Sequence, residues 1–228
     1  MRLSRFGFCL LAALLTLSLS TSVLAQGEKK IAYGILIDNT GSLRSQFELV
    51  RNLSKGIVEH THQQGPISLF PFKTQGPAPS DGAVISSGIE WSQDKNTLDK
   101  YIDGIFVVPG QTRLMDGISV IAQQLNAKAS PDKDAYEKVI FLVTDGEDRS
   151  SAINQKELIK LLKESGIQVN AIGLVRELDN EGGLVRKAPR EKAISFLEKI
   201  TKETGGRVVF PKSKTTDADD YLTKLFAK

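Results

Sequence analysis

Cysteine is almost absent from this sequence: among 228 residues there is one, Cys9. It lies deep inside an apolar run over residues 6–19 and not at a cleavage point, so we expect no lipid anchor on it. Arg2 and Arg5 precede the run, and Val23-Leu24-Ala25 follows it with small residues suited to cleavage. This is the layout of a secretory signal peptide. Cleavage after Ala25 would leave a chain without cysteine, whose stability must come from a core.

A long hydrophobic run is also missing. The N-terminal run has about 14 residues, whereas a membrane-spanning helix needs about 20. We therefore expect a signal peptide over residues 1–25, no membrane span after its removal, and a product that is periplasmic or extracellular. Residues 26–228 are enough for one good core, and they contain no repeat or linker, so we expect a single domain.

An excess of either charge is missing as well. Removing residues 1–25 lowers the number of basic residues from 30 to 28, against 27 acidic residues. A nearly neutral mature chain gives no reason to expect nucleic acid or an anionic membrane as its partner.

The sequence alternates apolar runs, which predict strands, with segments whose apolar residues recur at helical spacing. Apolar runs that predict strands cover residues 31–38, 67–72, 139–143, 167–175 and 208–210, with a weak edge strand at 83–86. Helical spacing covers residues 43–57, 98–105, 114–125, 158–162 and 193–200, and a last helix opens at Asp217. Strands that are apolar throughout favour parallel pairing with helices on both faces. We predict one α/β domain with a doubly wound, mostly parallel sheet.

Oxygen-bearing side chains follow two of these strands. If the strands take the common order 3-2-1-4-5-6, Asp38 and Asp145 face each other where the winding direction reverses, and ligands bind there. The loop that carries Thr112 opens on the same edge, because the helix after it must run back along the sheet. Carboxylate and hydroxyl oxygens suit a hard cation such as magnesium.

Three motifs together resemble the von Willebrand factor type A domain with its metal-ion-dependent adhesion site. They are Asp38-Asn39-Thr40-Gly41-Ser42, Gly110-Gln111-Thr112 and Thr144-Asp145-Gly146. Residues 200–208 are similar to the final helix–strand junction of bacterial members. The resemblance covers roughly residues 30–225 and departs from the family at Thr40, where serine is usual. It implies the Rossmann-like fold of that family.

The resemblance also implies a ligand set. Thr40, Ser42 and Thr112 would be direct or conditional ligands of Mg²⁺, while Asp38 and Asp145 would orient bound waters. Mn²⁺ would fit nearly as well and Ca²⁺ less well. An aspartate or glutamate of a protein partner would fill the open coordination position. Further residues expected near the metal or supporting its loops are Asp116, Glu147 and Asp148.

Three functions remain open at this point. The leading one is a secreted, non-catalytic binding module, because no nucleophile and base accompany the ligand set. The second is a scaffold or assembly subunit that retains the metal site without using it for adhesion. The third is a haloacid dehalogenase-type phosphatase, which needs an acidic residue at the position of Thr40 to protonate the leaving group. The polar connection Arg176–Arg190 is either a partner-contacting lid or a solvated insertion.

Overall fold

The computed structural model describes residues 30–72, 88–110, 112–129, 136–181, 189–212 and 218–227. Its strands are β1 (Lys30–Asp38), β2 (Ile67–Phe72), β3 (Ile89–Ser92), β4 (Tyr136–Thr144), β5 (Ile167–Gly173) and β6 (Val208–Val209). Its helices are α1 (Phe47–Thr61), α2 (Lys95–Asp103), α3 (Leu114–Ala129), α4 (Gln155–Glu164), α5 (Pro189–Glu203) and α6 (Ala218–Phe226). Short 3-10 helices cover Gly41–Gln46 and Val175–Glu181.

The strands form one sheet in the order β3-β2-β1-β4-β5-β6. β3 runs antiparallel to β2, and every other neighbouring pair is parallel. The predicted fold class and strand order are therefore confirmed. β1 and β4 are the central pair, and chain connections leave them in opposite directions, so the carboxyl ends of these two strands form the switch point.

The edge strand of the sheet differs from the sequence prediction. Residues 83–86, predicted as a weak edge strand, lie outside the described residues. The third strand is Ile89–Ser92, and its register with β2 shifts between Ile67 and Leu69. Trp91 in this strand has φ of 57°, a left-handed backbone conformation that is unusual for an aromatic residue. A four-residue strand with such an irregularity carries too little alternation to be predicted.

The helices form where the spacing predicts them, but their ends depend on capping. The helix predicted from Leu43 starts as the 3-10 helix Gly41–Gln46 and becomes α-helical at Phe47. α4 begins at a capping box: the Asn154 side chain accepts from the Glu157 N–H at 3.0 Å, and the Glu157 carboxylate accepts from the Asn154 N–H at 3.2 Å. This pair satisfies two N–H groups that the helix leaves unpaired.

The connection Arg176–Arg190 is not simply a solvated insertion. Its first part belongs to the 3-10 helix Val175–Glu181, in which Val175 and Leu178 are buried. Arg176 is exposed and donates a hydrogen bond to the Lys212 carbonyl at 3.0 Å. Residues 182–188 lie outside the described residues. The interpretation as a solvated insertion is therefore wrong at Leu178, and for the rest of the connection both interpretations, the solvated insertion and the partner-contacting lid, stay predictions.

The core consists of two hydrophobic clusters, one on each face of the sheet. Alternate residues of β1 supply both: Ala32 and Leu36 belong to the cluster with α3, α4 and α5, whereas Ile35 and Ile37 belong to the cluster with α1, α2 and α6. A strand buried on both faces must be apolar throughout, which is why β1 reads as an unbroken run. In the described part of the chain, no helix combines the length and apolarity that crossing a membrane requires.

Close packing of α3 against the sheet depends on Gly117. A Cβ atom there would lie 2.6 Å from a ring carbon of Phe72 and 3.4 Å from a methyl carbon of Leu36. Phe72 is 1% exposed, so its ring has no free space to move into. The glycine lets the first turns of α3 approach β1 and β2, which brings the preceding loop to the carboxyl edge of the sheet.

We predict that Gly117→Ala lowers the free energy of unfolding by about 1–3 kcal/mol through overpacking. This loss should occur although alanine favours a helix by about 1 kcal/mol over glycine. Urea unfolding followed by circular dichroism measures the difference. Gly104→Ala is the matched control, since a Cβ atom there would meet its nearest neighbour at an ordinary 3.4 Å. Equal stability of Gly117→Ala and wild type would contradict the proposed packing constraint.

Candidate metal centre

Two neighbouring strands end in polar side chains at the switch point. β1 ends at Asp38, and β4 ends at Thr144, which Asp145 follows. The two strands are in parallel register with Ile37 beside Val143, so Asp38 and Thr144 come next to each other. The sheet therefore places both predicted aspartates on the same edge, and both are 1% exposed.

The carboxylate of Asp38 is held by hydroxyl groups on both sides. Its Oδ1 accepts hydrogen bonds from the Thr40 hydroxyl at 2.7 Å and the Thr40 backbone N–H at 3.0 Å. Its Oδ2 accepts from the Thr144 hydroxyl at 2.7 Å. Because both carboxylate oxygens are engaged, Asp38 fixes the orientation of neighbouring hydroxyls and has little freedom to coordinate a cation directly.

Two predicted hydroxyl ligands lie side by side at the start of the 3-10 helix. The Oγ atoms of Thr40 and Ser42 are 3.1 Å apart. The Thr40 carbonyl accepts from the Leu43 N–H at 3.2 Å, which closes the first turn of this helix. Threonine at position 40 therefore places its hydroxyl beside Ser42 and donates a hydrogen bond to Asp38, which leaves lone-pair density on the hydroxyl oxygen for a cation.

Asp145 has an unsatisfied carboxylate oxygen. Its Oδ1 accepts from the Glu147 N–H at 2.9 Å, whereas its buried Oδ2 has no hydrogen-bond partner among the described residues. Gly146 enables the turn that follows, because its φ is 78° and a Cβ atom would lie 2.9 Å from Leu197. A buried carboxylate oxygen without a donor is costly, and a cation would satisfy it.

Burial of two carboxylates together disfavours their charged forms. Burial raises the pKa of Asp38, although hydrogen bonds from Thr40, Thr144 and the Asp145 backbone act in the opposite direction. Burial and the negative charge of Asp38 raise the pKa of Asp145 to about 7, and the Ser42 hydroxyl opposes this rise. The pair is therefore suited to a nearby positive charge.

The loop before α3 is attached to both of these motifs. Thr112 is buried, and its carbonyl accepts from the N–H groups of Arg149 and Ser150 at 2.8 and 3.3 Å. On the other side, the Val108 N–H donates to the Asn39 carbonyl at 2.9 Å. These backbone hydrogen bonds bring all three sequence motifs to one edge of the sheet.

Asp116 and Asp148 serve chiefly to join the loops. Asp116 pairs with the buried Arg113 at 2.5 Å and accepts from the backbone of residues 152 and 153 at 3.0–3.1 Å. Asp148 accepts from the Met115 N–H at 2.9 Å and thereby caps the first turn of α3. Both carboxylates are already used within the protein, so their roles are to fix the loops around the site.

Glu147 differs from Asp116 and Asp148, because its carboxylate does not join two loops. Its carboxylate pairs with Arg149 at 2.8 Å, and its backbone N–H donates to Asp145. It contributes to the site through the backbone, while its side chain forms an ion pair in the same loop.

Sequence reasoning missed the role of Thr144. Its hydroxyl donates to Asp38 and accepts from the Gly146 N–H at 2.9 Å, so it links the ends of β1 and β4. The Thr-Asp-Gly motif contained the signal, since a hydroxyl beside a strand-end aspartate is a natural donor. The role of Asn39, whose amide donates to the Phe106 carbonyl at 2.9 Å, was also missed.

The side chains that could coordinate a metal here carry hydroxyl and carboxylate oxygens. Among the described residues, no group of three or more histidine, cysteine, aspartate or glutamate side chains is placed to hold a metal ion, so a cation at this edge would depend on the hydroxyls as well as the two aspartates. Hard cations prefer oxygen ligands, whereas softer ions such as zinc favour nitrogen and sulfur. The unsatisfied Asp145 oxygen and the neighbouring Thr40 and Ser42 hydroxyls therefore fit a small hard cation.

The sequence profile of the von Willebrand factor type A domain matches residues 34–224. The chain belongs to the von Willebrand factor type A domain family. No curated protein matches the chain. Members of this family serve as protein-interaction modules and bind a divalent metal at the adhesion site, which agrees with the position of the candidate centre.

Several solved structures share this fold at low sequence identity. A pilus adhesin, SpaC from Lactobacillus rhamnosus GG, has a TM-score of 0.63 and 18% identity, over 88% of this chain and 31% of that one. An aerotolerance-related membrane protein from Bacteroides fragilis has a TM-score of 0.59 and 17% identity, over 85% of this chain and 99% of that one. Proximal thread matrix protein 1 from the mussel byssus, with zinc in its adhesion-site motif, has a TM-score of 0.57 and 19% identity, over 87% and 47%. These likenesses show the fold.

We predict that Asp145→Asn raises the melting temperature of the metal-free von Willebrand type A domain at pH 8 by at least roughly 3 °C. The substitution removes a buried charge whose pKa in the folded protein, about 7, exceeds the ordinary value of 3.8. Wild type should lose stability relative to the variant as the pH rises from about 4 to about 7, because the unfolded chain releases this proton first.

Differential scanning fluorimetry in EDTA between pH 5 and pH 8 measures this effect. Asp220→Asn is the control, because that carboxylate is exposed in an ion pair with Lys224 and contributes little. A constant difference between Asp145→Asn and wild type across this pH range would show that neither burial nor the charge of Asp38 raises the pKa of Asp145 in the folded protein.

Proposed function

We propose that this protein is a secreted, non-catalytic von Willebrand type A module that binds Mg²⁺ and, through it, an acidic side chain of a protein partner. Thr40, Ser42 and Thr112 would hold the cation by their hydroxyls. Asp38 and Asp145 would act mainly by orienting bound waters. The observation that carries the proposal is the buried Asp145 Oδ2 without a partner, beside the Thr40 and Ser42 hydroxyls.

The chemistry of the proposed metal ligands favours binding over catalysis. Neutral hydroxyls donate little charge, so a bound Mg²⁺ would remain electrophilic toward a carboxylate from outside. Mg²⁺ also keeps several waters and prefers octahedral oxygen coordination, which agrees with two water-orienting aspartates. Mn²⁺ would bind nearly as well for the same reason, and the larger Ca²⁺ less well.

The phosphatase alternative gains no support from the geometry. Such an enzyme would use Asp38 as its nucleophile, yet both oxygens of this buried carboxylate accept hydrogen bonds from threonine hydroxyls. The residue two positions on is Thr40, which is a poor proton donor to a leaving group. Turnover of a phosphomonoester panel, lost in Asp38→Asn, would establish the enzyme instead.

We predict that Asp38→Ala abolishes Mg²⁺ binding in isothermal titration calorimetry. Thr112→Val, which removes one hydroxyl at nearly constant volume, should weaken it by roughly tenfold or more. Glu147→Gln is the matched control from the same loops and should stay within about twofold of wild type, because its side chain pairs with Arg149. Unchanged Mg²⁺ affinity in Asp38→Ala would refute the metal site.

A scaffold role would keep the metal without using it for capture, so the two functions differ in their response to EDTA. We expect the tagged mature protein to retain partners from the native extracellular fraction in Mg²⁺ and to release them in EDTA. The Asp38→Ala variant should fail to retain the same partners. Capture that is indifferent to both EDTA and this substitution would support the scaffold.

We also predict that the signal peptide is removed, so the mass of the exported chain should correspond to cleavage after Ala25. An intact N-terminus would contradict the signal peptide.

A further inference from the structure

A largely apolar groove of about 650 Å³ adjoins the candidate metal centre. It lies between the end of β2, the edge strand β3, α2 and the loop after α2. The side chains that matter for its chemistry are Asn39, Pro71, Ile89, Tyr101, Phe106 and Val108. The site described above does not use this groove.

The groove and the metal centre share one loop. Asn39 lines the groove and stands between Asp38 and Thr40 in the first metal-site motif. Its carbonyl accepts from the Val108 N–H, and its amide donates to the Phe106 carbonyl, each at 2.9 Å. Thr40 also pairs with Val108 in an isolated β-bridge. A ligand at the metal centre would therefore lie directly beside the groove wall.

Asn39 contributes an unmet hydrogen-bond acceptor. The residue is 3% exposed, and its Oδ1 has no partner among the described residues. A buried acceptor without a donor costs free energy. A backbone N–H from an incoming polypeptide is the kind of donor that could satisfy it after a small adjustment of the loop.

Phe106 is the feature that points to a partner. In the described part of the chain it is the one large hydrophobic side chain that is mostly exposed to solvent, at 69%. Aromatic side chains, phenylalanine among them, are enriched in protein–protein interfaces relative to the rest of the surface. Lys100 lines the same groove and adds a positive charge that would favour an acidic segment.

We propose that this groove, defined by Asn39, Tyr101, Phe106 and Val108, receives an aliphatic or aromatic side chain of the same partner segment whose carboxylate ligates the metal. The inference rests on the proposed function and specifies its partner: an extended segment with an aspartate or glutamate and an apolar residue within three positions of it. An acidic partner segment is the occupant of choice because Asn39 places the groove next to the first metal-site motif and Lys100 adds a positive charge to its lining.

The test is selection of random heptapeptides displayed on phage against the immobilised mature protein in Mg²⁺. Wild type should enrich peptides that combine an acidic residue with a nearby apolar residue. Phe106→Ser should keep the acidic preference and lose the apolar one, and it should weaken the best wild-type peptide by roughly tenfold. Phe106→Leu is the matched control and should stay within about threefold, while the exposure of Phe106 keeps both variants folded.

The outcomes separate this inference from the proposed function. Magnesium-dependent acidic peptides without an apolar preference, or equal binding by Phe106→Ser, would overturn the groove and leave the metal function intact. Binding indifferent to both magnesium and acidic residues would overturn the proposed function. If no peptide is enriched although the protein binds Mg²⁺ in calorimetry, two claims fail: that the metal binds an acidic side chain of a partner, and that the groove binds an apolar one.

Two other occupants would also overturn the inference. A second copy in the groove would appear as a dimer in sedimentation velocity that Phe106→Ser dissociates. Occupation by the chain's own residues 73–87 would appear as tighter peptide binding after Val84→Ser with Ile85→Ser. We expect a monomer and unchanged peptide binding in these two experiments.

Discussion

Two carboxylates buried at the ends of adjacent strands are the constraint on which this structure depends. Asp38 and Asp145 are each 1% exposed, and like charges in a poorly solvated site oppose each other strongly. The surrounding polypeptide meets this cost with specific donors: two threonine hydroxyls and backbone N–H groups surround Asp38, and the Glu147 N–H serves Asp145. The Oδ2 atom of Asp145 is left without a hydrogen-bond donor among the described residues. A bound cation would satisfy this oxygen, so the site fits a cation.

The other acidic residues of the edge have a different task. Asp116 and Asp148 accept hydrogen bonds that connect the loop after β4 to the first turn of α3. Because these carboxylates stay within the protein, they add no further direct ligand charge to the centre. A cation held by hydroxyls, with Asp38 and Asp145 orienting its bound waters, would keep an affinity for an acidic ligand at one open position.

The family shares its frame across very different proteins, from a pilus adhesin to a byssal matrix protein, at below 20% identity. A shared fold does not determine function, and binding sites commonly lie in the loops that a rigid frame positions. In this chain the distinctive feature of that rim is the groove beside Asn39 with Phe106 at its edge. The metal centre would supply a common attachment point, and the groove would select which acidic segment is accepted.

The sequence by itself determined the alternation of strands and helices and the three motifs, because apolar periodicity and strand-end residues are local signals. The order of the strands in the sheet is not a local signal, and it followed only from the resemblance to the family. It did not reveal β3, whose four residues deviate from regular alternation, or the 3-10 helix Val175–Glu181, in which Val175 and Leu178 are buried. Tertiary structure alone decided that Thr144 would hold Asp38 and that Asp116 would fasten a distant loop. Those roles depend on which donor lies opposite which acceptor after the chain has folded, and partners up to 106 residues apart leave no local trace.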